Sequence, residues 1–121
     1  MRKFLYVFVI SFFFINCDKN QTLETITTAE LKTLLSKKKI QLIDVRTPQE
    51  IKEGFIATAI FANYFEDDFA EKAIRKLDKD KPVYLICRSG NRSEKAALIL
   101  KEKGYNVINV SGGYNQWKKE N

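Results

Sequence analysis

The sequence predicts an α/β domain with a mainly parallel central sheet of about five strands and helices on both faces. Three observations lead to this class. Short apolar runs such as Ile40–Val45 and Pro82–Ile86 alternate with longer amphipathic stretches. The amphipathic stretches repeat their apolar residues at helical spacing. Helices of this length between successive strands are the connections that a parallel sheet needs.

The first half of the domain contains two helices with a buried strand between them. Thr27 and Glu30 have the spacing of a capping box, so they predict the start of the first helix. Lys37–Lys39 end this helix with charges that suit its C-terminal end. The buried strand Ile40–Val45 follows, and Thr47 then caps a short helix with proline at its first turn.

The second half continues the alternation of strands and helices. Gly104 stops its longest helix, as glycine commonly does at a helix C-terminus. The predicted elements are a weak strand Ala59–Ala62, a helix Glu66–Leu77, a strand Pro82–Ile86, a helix Ser93–Lys103, a strand Val107–Val110 and a short terminal helix through Trp117.

Residues 1–16 have the layout of a secretory signal peptide. A basic head, Arg2 and Lys3, precedes an apolar or neutral run from Phe4 to Ile15. This run is shorter than the roughly 20 apolar residues of a membrane-spanning helix. We therefore exclude residues 1–16 from the fold and expect export to the periplasmic side of a bacterial membrane.

Cys17 directly follows this run, at the position of the modified cysteine in a bacterial lipoprotein signal, which the segment resembles. Phe14, Ile15 and Asn16 differ from the aliphatic and small residues of the usual lipobox. The alternative is an ordinary thiol near a conventional cleavage site. We expect Cys17 to carry lipid that anchors the protein in the membrane, residues 17–24 to form a tether, and residues 25–121 to form the domain.

Composition excludes several functional classes. The formal net charge is +6, and it falls to +4 without Arg2 and Lys3, a mild excess spread over many lysines. The basic residues form no stripe interleaved with aromatic residues, so we expect no nucleic-acid partner. Because the chain has no histidine, Cys-His catalysis, Ser-His catalysis and most zinc sites are excluded. We expect no bound metal and, with Cys17 lipidated, no internal disulfide.

The stretch from Val83 to Ala97 predicts a buried strand, then a polar loop, then a helix. In open α/β sheets, ligands bind beyond the carboxyl ends of the strands. Cys87 lies at such an end, and its loop leads into a helix N-terminus. Inward-turned N–H groups, the helix dipole and two arginines would favour the thiolate of Cys87 and bind an anion beside it. The residues expected to bind this anion are Arg88, Ser89, Gly90, Asn91, Arg92 and Ser93.

Other roles remain open for some of these residues. Ser89 and Ser93 can donate hydrogen bonds to the sulfur, but Asn91 or Ser93 can equally serve as the helix N-cap. Arg88 can be an ordinary surface charge. Asp44 and Arg46 are supporting residues, and we expect an ion pair between them that braces the loop.

Three ordered motifs resemble the rhodanese family. Residues 87–93, Cys-Arg-Ser-Gly-Asn-Arg-Ser, are similar to the active-site loop of single-domain rhodaneses. Residues 43–46, Ile-Asp-Val-Arg, with Glu50 resemble an upstream motif, and residues 110–117 resemble the terminal Gly-Gly and Trp segment. The resemblance extends from about Thr25 to Lys119. It implies a rhodanese-like fold and a sulfurtransferase.

One segment differs from the family pattern. Residues 54–63 lack the usual histidine, second glycine and proline, and Phe55 stands at the histidine position. Because this segment is usually structural, we expect a shifted loop that alters the rim of the site and hence the substrate.

The resemblance implies that Cys87 takes a sulfane sulfur from an anionic donor such as thiosulfate and passes it as a persulfide to cyanide or a thiol. No cofactor is needed, and we expect a monomer. One alternative is a non-enzymatic sulfur carrier or protein-interaction module. Another is a cysteine-based phosphatase or arsenate reductase, but those enzymes place five residues between cysteine and arginine, whereas four separate Cys87 from Arg92.

Overall fold

The computed structural model describes residues 22–121 of the 121-residue chain. Among these residues, no helix is long and apolar enough to cross a membrane. Cys17 and the predicted signal peptide lie outside the described residues. The elements are β1 (Glu24–Ile26), α1 (Thr28–Lys37), β2 (Gln41–Asp44), α2 (Pro48–Lys52), β3 (Ile60–Phe61), α3 (Phe69–Lys76), β4 (Val83–Ile86), α4 (Asn91–Glu102), β5 (Val107–Val110) and α5 (Gly113–Glu120).

The five strands form one sheet in the order β1-β5-β4-β2-β3. Every neighbouring pair is parallel, and Ile43 of β2 pairs with Leu85 of β4 at the centre. The predicted α/β class with a five-stranded parallel sheet is confirmed. Because all strands run the same way, their carboxyl ends share one edge of the sheet and their amino ends share the other.

Helices cover both faces of the sheet because side chains alternate along each strand. On one face, Ile43 and Leu85 pack with Phe69 and Ala73 of α3 and with Leu100 of α4. On the other face, Leu31 of α1 packs against strand residues, with Trp117 of α5 beside them. The buried strand residues of this second cluster are Leu42, Ile86 and Val110.

The predicted helix starts are correct where the sequence carries a capping box. Thr27 and Thr47 each accept a hydrogen bond from the N3 backbone, and the N3 glutamates, Glu30 and Glu50, bond back to the cap. The start of α3 differs from the prediction. It begins at Phe69 and not at Glu66, and its N-cap Asp68 makes no side-chain capping bond.

The sequence does not predict the first strand. β1 is only Glu-Thr-Ile, and two of its three residues are exposed, so it has no apolar run to reveal it. Its pairing with β5 aligns Glu24 with Ile108. The side chain of Leu23 also packs against the core. The folded chain therefore includes the last residues of the segment expected to be a tether.

Candidate active site

Cys87 lies at the carboxyl edge of the sheet, immediately after β4. Its side chain is 1% exposed. Its Sγ accepts hydrogen bonds from the Gly90 backbone N–H at 3.0 Å and from the Ser93 hydroxyl at 3.3 Å. Two donors directed at one buried sulfur favour a negative charge there, because hydrogen bonds to the charged form stabilise it.

Gly90 gives the loop its shape. Its φ is +109°, a conformation that residues with a side chain rarely adopt. This turn directs the Gly90 N–H toward Cys87 and makes Gly90 the N-cap of α4, without a side-chain capping bond. The proposed N-cap role of Asn91 or Ser93 is therefore wrong. Ser93 instead lies in the first turn of α4, fully buried, with its hydroxyl between Cys87 Sγ and the Gly90 carbonyl.

The first residues of α5 hold the Cys87 loop in place through two backbone hydrogen bonds. The Tyr114 N–H donates to the Cys87 carbonyl at 2.8 Å, and the Asn115 N–H donates to the Arg88 carbonyl at 3.0 Å. This contact requires glycine at position 113, because a Cβ there would lie 2.5 Å from the carbonyl carbon of Arg88. The Gly-Gly segment thus joins the sheet end to the sulfur-bearing loop.

Arg92 forms a two-pronged ion pair with Glu50 of α2. Both N···O distances are 2.8 Å, and both side chains are largely buried. This hydrogen bond from Arg92 is the main reason that the pKa of Glu50 falls to about 2, and burial opposes the shift. The same contact raises the pKa of Arg92. The guanidinium of Arg92 is therefore committed to Glu50, although its charge remains close to the loop.

Asp44 and Arg46 form the expected ion pair. The guanidinium of Arg46 bonds both carboxylate oxygens of Asp44 at 2.8–3.2 Å, and both residues are buried. Arg46 also donates to the Gly54 carbonyl at 2.8 Å and stacks 4.3 Å from the ring centroid of Tyr114. Because Tyr114 bonds to the Cys87 carbonyl, the pair braces the loop through α5 rather than by direct contact.

The remaining loop residues face solvent. Arg88, Ser89 and Asn91 are exposed, and their side chains make no hydrogen bond to another residue within 22–121. A pocket of about 250 Å³ adjoins the loop at Arg88. Its other lining residues are Arg46, Gln49, Glu50, Glu53, Tyr114, Asn115 and Lys118.

Two exposed aromatic side chains lie within or just after the segment that differs from the family pattern, residues 54–63. Phe55 is 47% exposed and Phe65 is 64% exposed. Phe55 packs edge-on against Phe61 with 5.2 Å between ring centroids. The guanidinium carbon of Arg92 lies 5.1 Å from the ring centroid of Phe65, over the face of the ring. Phe65 therefore places an exposed apolar side chain beside Arg92.

The structure brings Cys87, Gly90 and Ser93 into hydrogen-bond contact. Three further residues contribute to the site, and the sequence indicates them only as parts of motifs: Glu50, Gly113 and Tyr114. Their signal was the spacing of those motifs, since Glu50 follows the Asp-Val-Arg run and Gly113 precedes Tyr114. Only the fold brings all three against residues 87–92.

Within 22–121, no group of three or more histidine, cysteine, aspartate or glutamate side chains is arranged to hold an ion. A buried cysteine at a strand end, with N–H and O–H donors on its sulfur and a helix starting beside it, defines a class of proteins that hold charged sulfur or an anion in a cradle-shaped loop.

The chain belongs to the rhodanese family, because the model described as "Rhodanese-like domain" matches residues 27–120. A Bacillus subtilis (strain 168) protein, YtwF, provisionally named a sulfurtransferase, is 39% identical over 99 residues, which are 81% of this chain and 93% of that protein. The family and this relative support a sulfurtransferase-type function.

Solved structures show the same fold. A rhodanese-like domain protein from Staphylococcus aureus is 34% identical with a TM-score of 0.71, over 78% of this chain and 91% of that chain. A Rhodopseudomonas palustris protein, RPA3614, is 26% identical with a TM-score of 0.68, over 81% of each chain. It is described as a protein of unknown function and a possible tyrosine phosphatase.

Proposed function

We propose that this protein is an exported, lipid-anchored sulfurtransferase that carries sulfane sulfur as a persulfide on Cys87. The observation that carries the proposal is the pair of hydrogen bonds from Gly90 and Ser93 to the buried Cys87 Sγ. Both donors can stabilise a thiolate, and equally the charge that returns to Sγ when a persulfide is discharged.

The reaction has two balanced steps. The Cys87 thiolate attacks the outer sulfur of thiosulfate, the S–S bond of the donor breaks, and sulfite leaves with the bonding electron pair. The terminal sulfur of the resulting persulfide is then attacked by an acceptor. Cyanide gives thiocyanate and a thiolate gives a new persulfide, and in both cases the electron pair returns to Cys87.

The surroundings of the loop suit an anionic donor. Arg88 is exposed beside the small pocket and forms no ion pair with another described residue, and Lys118 lines the same pocket. Arg92 adds charge nearby while Glu50 fixes its position. We assign donor binding to the loop N–H groups and Arg88, and a positioning role to Arg92.

Intact-mass measurement tests the proposal directly. The five strands and five helices that the structure describes lie within residues 22–121, and the family match spans 27–120, so the measurement uses residues 22–121. Incubation with thiosulfate should add one sulfur atom to the domain, and cyanide should remove it. Cys87→Ser should gain nothing. A reduced domain that gains no sulfur from thiosulfate or polysulfide would contradict the enzyme proposal.

The second candidate is a sulfur-carrier or interaction module without turnover. The 1% exposure of Cys87 favours it, since a free donor reaches Sγ only after the loop shifts. Under this alternative, the domain would lack turnover with thiosulfate and cyanide. A phosphatase is disfavoured because Arg92 is bonded to Glu50. Hydrolysis of p-nitrophenyl phosphate that Cys87→Ser abolishes would reverse that ranking.

Export and anchoring are tested separately on the full chain. Growth of an expressing bacterium with labelled palmitate should label the wild-type protein and leave Cys17→Ser unlabelled. An unlabelled wild-type protein would contradict lipidation without affecting the sulfur chemistry of Cys87.

A further inference from the structure

The amino edge of the sheet, opposite Cys87, carries an open groove of about 860 Å³. Four exposed lysines line it: Lys37, Lys38, Lys39 and Lys81. Apolar side chains, including Ile40, Ile60 and Tyr84, also line it. Asp78 lies there too, 3.9 Å from the Lys81 amino group. The first three lysines form no ion pair with any residue in 22–121.

The topology explains why positive charge collects at this edge. Strands begin here, so the helices that return from the carboxyl edge end here. The last turns of these helices are basic, with Lys37 in α1, Arg75 in α3 and Lys101 in α4. The amino group of Lys76 in α3 instead donates to the Phe61 carbonyl at 2.7 Å. Cations suit these positions because they complement the helix dipole. The parallel fold therefore brings separate basic helix ends to one side of the molecule.

The chain also enters the domain from this side. β1 starts at Glu24 and runs parallel to β5, so its first residue lies at the amino edge. The Thr22 carbonyl accepts a hydrogen bond from the Lys101 amino group at 3.1 Å, which fixes the chain there. Residues 1–21 precede this point and include the apolar run Phe4–Ile15. A membrane that received this run would face the lysine-lined groove.

We propose that the amino edge docks on an anionic lipid surface, with phospholipid headgroups at the lysines and Tyr84 at the interfacial level. The lining cations are all lysines, which are point charges on flexible stems and suit a diffuse anionic surface better than a directional anion site. The apolar lining accepts the glycerol region beneath the headgroups. The contact orients the domain so that Cys87, at the opposite edge, faces away from the membrane.

Vesicle partitioning of residues 22–121 tests the docking without any lipid anchor or sulfur chemistry. The domain should bind vesicles of phosphatidylglycerol and phosphatidylcholine, should not bind phosphatidylcholine alone, and should be released by added salt. The triple variant Lys37→Gln/Lys38→Gln/Lys39→Gln should lose roughly 100-fold in partitioning, since each lysine contributes about fivefold.

A matched triple variant, Lys52→Gln/Lys95→Gln/Lys119→Gln, removes the same charge from exposed lysines outside the groove and should weaken binding by less than tenfold. An equal loss in both triples would overturn the proposal in favour of diffuse net charge. Absence of binding to phosphatidylglycerol vesicles would also overturn it. Tighter binding to polyadenylate than to these vesicles would also contradict the proposal, since it would show that the groove prefers a nucleic-acid polyanion to a lipid surface.

The orientation has its own readout. In a Cys87→Ser domain, an environment-sensitive dye on Ser36→Cys, which lies in the groove, should brighten on anionic vesicles. The same dye on Ser89→Cys, in the exposed loop at the other edge, should not. Brightening at position 89 alone would show that the domain binds vesicles through its carboxyl edge, which would overturn the proposal.

Discussion

The two edges of this sheet use charge in opposite ways. At the carboxyl edge, Asp44 pairs with Arg46 and Glu50 pairs with Arg92, and all four side chains are largely or fully buried. At the amino edge, the lysines of residues 37–39 are exposed and have no acidic partner among the described residues. The comparison shows that the paired charges at the carboxyl edge hold the site residues in place, whereas the unpaired lysines at the amino edge are exposed to solvent.

The physical reason lies in burial. A buried guanidinium must be matched by a carboxylate, because an unpaired buried charge is strongly destabilising. Such pairs are rigid, and Arg46 and Arg92 accordingly hold the segments around Cys87 in place. Exposed lysines keep their hydration and contribute little to stability. They remain available to an external anionic surface, so the two edges should respond differently to mutation.

The largest effect is expected where the carboxyl edge is most tightly packed. Gly113→Ala places a Cβ against the Arg88 carbonyl group and should lower the free energy of unfolding by about 3 kcal/mol. Gly104→Ala is the matched control, because its φ is also positive but its Cβ meets only the far end of the flexible Lys79 side chain. Urea denaturation measures both. Equal losses would mean that the close approach of α5 to the loop is unimportant.

The next effect concerns the sulfur itself. Ser93→Ala removes one of the two donors to Cys87 Sγ and should slow persulfide formation roughly 10- to 100-fold, since hydrogen bonds to charged groups are the strong ones. Ser111→Ala removes an exposed hydroxyl that bonds to the Ile26 carbonyl and should leave the rate unchanged. Single-turnover mass spectrometry with thiosulfate gives both rates. An unchanged rate in Ser93→Ala would show that the Ser93 hydroxyl has no role in persulfide formation.

A smaller effect is expected from the Glu50–Arg92 pair. Because the pKa of Glu50 is lowered from 4.5 to about 2, its ionised form stabilises the fold above pH 4.5, and this stability is lost as the pH falls toward 2. Glu50→Gln should lower the free energy of unfolding by about 1 kcal/mol at pH 7. The difference from the wild type should shrink below pH 4.5. A difference that is constant from pH 7 to pH 2.5 would contradict the ionic role.

The smallest effect on the folded domain is expected at the amino edge. The triple glutamine variant of residues 37–39 should change the free energy of unfolding by no more than about 0.5 kcal/mol. Its rate of persulfide formation should match that of the wild type, because the groove lies at the opposite end of the strands. A rate loss comparable to that of Ser93→Ala would show that the two edges are coupled.

Several parts of this molecule could be predicted from local sequence because local contacts determine them. The capping boxes at Thr27 and Thr47 act over three residues, and both helices start where they predict. The apolar runs of β2, β4 and β5 need burial wherever they lie. β1 could not be predicted in this way, since Glu24–Ile26 becomes a strand only when β5 supplies its hydrogen-bond partners.

The sequence by itself determined the fold class, the strand-end position of Cys87 and the loop that follows it. The tertiary structure alone decided how that loop is held, because Glu50, Arg46 and Gly113 reach it across long stretches of chain. It also made Gly90 the N-cap of α4 and directed Ser93 to the sulfur. A basic edge likewise exists only after the parallel sheet has collected the helix ends on one side. Hydrogen bonds and fields act over a few ångströms in space, and only folding converts distant sequence positions into such neighbours.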